Sequence, residues 1–359
     1  MKSFSDMFPP PRFLEMPAVG IDISEDAIRF VEFARKGTHS ELKKYGKRPL
    51  PLGIIKNGEI ADPDQLKTEL KKLREEQKFD FAHLSLPEEK AYIFRTTVAL
   101  AEPAHVHDSI EFLLEENVPL SIPEAIFDYS IVRAVHKDTS HLDVVVVVVP
   151  RQYVVDYANL VREAGLFPLS LQIVPTAITR SAVGHNDHSN IMIVHFYREK
   201  TGITIVSRGV VQFTSTIGIG GDAFTKAIEK YFNVSTEEAR RIKRNESFVP
   251  NKERVELFYS LMNTVSALKD EIQRLFVYWQ TFKGRADELG GKIERVILCG
   301  EDALITGIDE YLSISLHLPV EVADLWKNIF SFDEYVPAMK HHESLEYAVS
   351  IGLALPGGN

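Results

Sequence analysis

A strand, a tight polar turn and a second strand open the chain near position 20, and the same arrangement returns near position 195. Val19–Ile23 reads as a buried strand, Ser24-Glu25-Asp26 as the turn, and Ala27–Phe33 as the returning strand. In the second half, which begins near Asn190, Ile191–Phe196, Thr201–Ser207 and Val210–Thr216 read as three successive strands, the last two turning at Arg208-Gly209. Strand-like and helix-like periodicities alternate elsewhere, so the pattern predicts a layered α/β fold. At roughly 150 residues per domain, a chain of 359 residues has room for two.

Between these units the local signals are specific. Arg35–Arg48 is polar and basic, as expected of a solvated hairpin edge where lysines discourage further pairing. Asp62-Pro63 predicts a helix start, with Leu66, Leu70 and Leu73 on one face. Phe81–Leu86 and Tyr92–Val98 flank a Pro87-Glu88-Glu89 turn. Asp108 with Glu111, and Ser235 with Glu238, have capping-box spacing. Phe127–Val135 and Leu142–Val149 read as strands, and the six valines from Val144 predict burial on both faces. Tyr153–Ala164 is helical and Gly165 ends it. Asp222–Tyr231, Glu253–Phe282, Ala303–Tyr311 and Glu346–Leu355 read as helices, and Arg295–Leu298 as a strand.

Composition removes several classes of function. Apolar residues make up 45% and charged residues 26%, which is globular usage and not that of a disordered chain. Asp plus Glu is 51 against 41 Lys plus Arg, a net charge of −10 that argues against broad affinity for nucleic acid or anionic membranes. Val144–Val149 is the longest apolar block, far short of the ~20 residues that span a bilayer. Cys299 is the only cysteine, which fits a reducing compartment. Residues 1–17 read as a flexible tail, with a docking segment carrying Phe4, Phe8 and Phe13 as the alternative.

The two hairpins and a late glycine turn resemble the actin/Hsp70/sugar-kinase fold, a ribonuclease H-like two-lobed architecture. Pro123–Tyr129, Ala164–Pro168, Ile173–Ala177, Phe213–Thr225, Asp270–Arg274 and Tyr347–Leu353 narrow this to a resemblance to the type IV pilus assembly protein PilM family, over about Ala18–Leu355. The resemblance implies an actin-like cytoplasmic scaffold, peripheral to the inner membrane, that binds the N-terminal peptide of a PilN-like membrane protein in its first half. It also implies a link to the pilus motor ATPase, and leaves homo-oligomer formation open. It implies an FtsA-type small domain inserted in the first lobe at 81–169, with 18–80, 170–189 and 340–359 forming that lobe and 190–339 the second. FtsA-like proteins end in a basic amphipathic helix. Ala354–Asn359 carries none, which favours the PilM likeness.

The same resemblance assigns Asp22, Ser24, Arg29, Thr201, Gly220, Gly221, Glu271, Arg274 and Gly300 to the family's ATP and Mg2+ site. The phosphate hairpins depart from its pattern. Glu25 and Asp26 stand where small residues would cradle phosphate, His195 replaces a metal-facing Asp, Tyr197 replaces a Gly, and Glu301 replaces the second Gly of the adenosine turn. A like-charge pair at 4 Å costs about 1 kcal/mol in water and about 4 kcal/mol at an effective dielectric near 20. The expectation is therefore a scaffold whose ATP binding is weakened or lost. The alternatives are an active actin-like ATPase of pilus assembly or cell division, and, further off, a sugar kinase. His105, His107, His341 and His342 read as surface residues, Cys299 as a small core residue, and Phe276, Tyr278 and Trp279 as packing on a helix.

Overall fold

A computed structural model describes residues 18–36, 39–99, 103–132, 141–245, 255–282, 291–305 and 307–355. The tail with Phe4, Phe8 and Phe13, the strand expected beyond Val132, the helix start near Glu253 and the four C-terminal residues lie outside them. The chain runs β1 (Ala18–Ile23), β2 (Ala27–Lys36), β3 (His39–Pro49), the short pair β4 (Ile55–Lys56) and β5 (Glu59–Ile60), then α1 (Pro63–Gln77) and β6 (Phe81–Leu86). It continues through β7 (Tyr92–Ala99), α2 (Pro103–Asn117), β8 (Ala125–Val132), β9 (His141–Pro150), α3 (Arg151–Glu163), β10 (Phe167–Ile173) and α4 (Val174–Ala182). The second half holds β11 (Asn190–Phe196), β12 (Thr201–Ser207), β13 (Val210–Ile217), α5 (Gly221–Phe232), α6 (Thr236–Asn245) and α7 (Val255–Phe282). Then come β14 (Arg295–Gly300), α8 (Ile308–Leu316), β15 (Val320–Val322), α9 (His341–Ser344) and α10 (Ala348–Ala354).

Two five-stranded sheets carry the lobes, ordered β10-β6-β1-β2-β3 and β13-β12-β11-β14-β15. In each, an antiparallel hairpin is flanked by a parallel strand: β1 pairs β2 and β6, and β11 pairs β12 and β14. The carboxyl ends of β1, β6, β11 and β14 thus bring the two hairpin tips and the following turns together, as is usual for ligand clefts in α/β sheets. Helices α4 and α10 pack on each other, α10 also on β1 and α4 on β10 and β13, and both contribute to the core that also contains the second sheet.

Within the expected insertion, 81–169, the strands fall into two sheets. β6 and β10, the strands at its two ends, belong to the first lobe's sheet, and only β7-β9-β8 with α2 form a separate layer. The valine strand β9 is its centre: Val144, Val146 and Val148 pack with Ile110 and Leu114 of α2, while Val149 joins the first lobe's core. Asp62 caps α1 as expected, accepting from the Gln65 N–H at 3.0 Å. Asp108 does not cap α2, which starts at Pro103 because Val106 extends the buried stripe by one turn toward the N-terminus. The expected helix at Ala303–Tyr311 is divided into a 3₁₀ turn, Glu301–Leu304, and α8.

Candidate nucleotide cleft

Asp22 and Arg29 face each other in the register of β1 and β2, so strand periodicity delivers both side chains to the cleft. Arg29 is then turned back on its own hairpin. Its guanidinium donates to Ser24 Oγ at 2.8 Å and to both Asp26 oxygens at 3.2 and 2.9 Å. Ser24 Oγ donates to Asp26 at 2.9 Å, and the Ser24 N–H is spent on the Ala27 carbonyl at 3.0 Å. Burial works to raise the Asp26 pKa, but the Arg29 charge and hydrogen bonds outweigh it, and Asp26 falls to about 2. Asp22 accepts from Ser85 Oγ at 2.8 Å, yet burial dominates over the Arg29 charge and pushes it up to about 6.

The second hairpin is closed in the same way. The α5 N-terminus, the natural place for an anion, donates its Gly221 and Asp222 N–H groups to the Tyr197 and Arg198 carbonyls at 3.0 and 2.7 Å. Arg198 Nε donates to the Asp222 carboxylate at 2.9 Å, with Arg240 3.8 Å away on its other oxygen. Thr201 is buried and donates to the Ile219 carbonyl at 2.6 Å. Gly220 has Lys200 N and the Glu199 carbonyl carbon where a Cβ would stand, and Gly221 has the Asp302 carboxylate there. His195 is buried with Nδ1 unpartnered; burial first, and then the Arg29 charge, lower its pKa to about 3, so the ring is neutral. Its ring lies edge-on to Tyr197 at 4.2 Å between centroids.

The cleft between the lobes has a volume of about 360 Å³ and adjoins a second cavity of about 500 Å³, with Lys243, Glu301, Asp302 and Glu346 lining both. Its walls carry five cationic side chains, Arg29, Lys47, Arg198, Arg240 and Lys243, against six carboxylates. The cations are already paired: Lys243 with Asp302 and Lys47 with Glu346, besides the pairs above. At Gly300 only glycine fits, with φ +91° and the Phe196 carbonyl oxygen filling the place of a Cβ. Glu301 follows it into the 3₁₀ turn.

Of the residues assigned from the resemblance, Asp22, Ser24, Arg29, Gly221 and Gly300 line the cleft. Thr201 and Gly220 support the hairpins behind it. Glu271 and Arg274 do not enter it: they pair with each other across one turn of α7, on an exposed face. Residues the sequence reading passed over are Ser85, Glu88, Glu89, Lys243, Asp302 and Glu346. Ser85 lies near the end of β6 and Glu88 and Glu89 follow it, and the parallel pairing of β6 with β1 sets them beside the first hairpin tip. The Pro87-Glu88-Glu89 turn after a buried strand was the available signal. Cys299, next to Gly300 at the end of β14, is fully buried, and burial pushes its thiol up to about 12, as befits a packing residue.

A family model described as type IV pilus assembly protein PilM matches residues 20–357. Among solved structures, a PilM-PilN type IV pilus biogenesis complex is 20% identical over 94% of this chain and 97% of the other, with a TM-score of 0.75. The ethanolamine utilization protein EutJ from Carboxydothermus hydrogenoformans is 15% identical over 98% of this chain and 91% of the other, TM-score 0.54. MreB5 of Spiroplasma citri bound to ADP is 15% identical over 94% of each chain, TM-score 0.55. Together with the two-sheet, two-hairpin topology, these structural similarities give the chain an actin-like fold.

Proposed function

The chain belongs to the type IV pilus assembly protein PilM family, and from that premise we propose that it is a cytoplasmic scaffold whose actin-like cleft binds ATP weakly or not at all. Its working ligand is then the N-terminal peptide of a PilN-like inner-membrane protein, a reading supported by the likeness to a PilM-PilN complex, which favours a PilN-like partner. The observation that carries the nucleotide half is the self-pairing of the phosphate hairpins. Arg29 is held by Asp26 and Ser24, and the first two N–H groups of α5 are spent on hairpin carbonyls. A triphosphate would have to displace these bonds and approach Asp26 and Asp222, at a cost of a few kcal/mol for each like-charge contact.

For the peptide, the first half offers strand edges at β3, β8 and β10, where unpaired backbone can take up an extended segment. Among the described residues no helix is long and apolar enough to cross a membrane, so attachment to the inner membrane would run through that partner.

The test is titration calorimetry on the full chain. Micromolar binding of a PilN-type N-terminal peptide is expected, together with no heat and no thermal shift on adding millimolar Mg-ATP. Absence of peptide binding overturns the scaffold reading. Saturable Mg-ATP binding that is lost in Asp22→Ala overturns the reading of a decayed nucleotide site and favours an actin-like ATPase.

A further inference from the structure

We propose that Glu88 and Glu89 of the first lobe and Tyr197 and Lys200 of the second form a latch that holds the hairpins together in the absence of nucleotide. The four residues meet at the turns that follow β6 and β11. The Tyr197 hydroxyl donates to the two Glu88 oxygens at 3.3 Å each, and the Lys200 ammonium pairs with Glu89 and stands 3.9 Å from Glu25. That ammonium also lies 5.1 Å from the centre of the Tyr197 ring. The Tyr197 N–H donates to the Lys200 carbonyl at 2.9 Å, which closes the turn that carries both side chains. On the other side, the Ala91 N–H donates to the Glu88 carbonyl at 3.0 Å and fixes the 3₁₀ turn that carries both carboxylates.

Burial makes these contacts more than surface pairing. Lys200 and Glu89 side chains are each 18% exposed, and Glu88 is 6% exposed. Gly202, opposite His195 on the return strand, leaves the space that Glu88 and the Tyr197 ring occupy: a Cβ there would stand 3.2 Å from each. Lys200 is the cation that faces Glu25, Glu88 and Glu89. Without it these carboxylates repel one another across a partly desolvated gap, and the hairpins separate. In this chain the bridge between lobes is thus made of side chains, where a bound triphosphate would otherwise span the tips. This deepens the nucleotide half of the proposed function. It is measured with no nucleotide present, so its failure is distinct from a failure of the calorimetry above.

Thiol-reactive spin labels at Glu75→Cys on α1 and Lys226→Cys on α5, both exposed, report the separation of the lobes in the full chain; Cys299 is buried and does not compete. A single narrow distance distribution is expected for the nucleotide-free protein. Lys200→Glu is expected to lengthen and broaden it, Lys200→Gln to do so partially, and Glu89→Lys added to Lys200→Glu to restore the narrow form. An unchanged distribution in Lys200→Gln, or no restoration in the reversed pair, overturns the latch. Should Lys200→Glu alone fail to fold, the Gln variant and the reversed pair still decide the matter.

Discussion

Two buried groups on facing hairpins, Asp22 and His195, set opposite pH dependences into the same cleft. Burial raises Asp22 from the ordinary 3.8 to about 6, so the folded protein holds a proton there that the unfolded chain has released. Its contribution to stability is full below pH 3.8 and is lost as the pH rises through about 6. His195 falls from 6.5 to about 3, so its contribution is full above pH 6.5 and is lost as the pH falls through about 3. At about 1.4 kcal/mol per pKa unit the first is worth on the order of 3 kcal/mol and the second on the order of 5 kcal/mol, and between pH 4 and 6 the two slopes oppose. Asp22→Asn is expected to make stability rise more steeply with pH in that window, and His195→Asn to make it fall. Urea unfolding at half-unit pH steps measures both, and parallel profiles for the two variants would refute the assignment. The identities of Asp22 and His195 were plain in the sequence as a family match and a departure from it. Their protonation was not, because it depends on burial by a strand from each lobe.

At the scale of the element, two similar local patterns had different outcomes. Asp62-Pro63 caps α1, whereas Asp108 with Glu111 sits inside α2. Asp62→Ala is expected to cost about 1 kcal/mol, and Asp108→Ala to stay within about 0.5 kcal/mol, compared by urea midpoints at constant slope. The difference was partly readable: Val106, Ile110 and Leu114 form an i, i+4, i+8 stripe that places the helix start before Asp108. The hairpin turns were legible for a firmer reason. Arg208-Gly209 turns with φ of +53° and +76°, backbone that few residue types adopt easily, and Gly165 ends α3 at +87°. Strand membership was less accessible. Phe81–Leu86 and Phe167–Ile173 have ordinary strand patterns, and nothing local says that they pair with each other, and the first of them with β1, instead of joining the layer between them.

For the whole molecule, the joint between halves is built by α4, α10 and the segment after β15. Ser181 Oγ of α4 donates to the Ala348 carbonyl of α10 at 2.8 Å, and the Arg180 guanidinium donates to the Leu355 carbonyl at 2.6 Å. Asn328, from the segment after β15, donates to the Arg180 and Val183 carbonyls at 2.9 and 2.7 Å. Asn328→Ala removes both bonds at the end of α4 and is expected to destabilise the fold by about 1–3 kcal/mol. Thermal unfolding checks it, and a melting point equal to that of the parent chain would show that the joint does not rest on this residue. By itself the sequence determined the layered α/β class, the two hairpins with their turn chemistry, most helices and the charge reversals at the first hairpin tip, because each is written within a few neighbouring residues. Only the tertiary structure decided that β6 and β10 belong to the first sheet, that Glu271 and Arg274 lie outside the cleft, and that the cleft's cations are neutralised by carboxylates such as Asp302 and Glu346. Those outcomes depend on groups tens to hundreds of residues apart meeting at the ends of two sheets, and pairing at that range leaves no periodic trace in the chain.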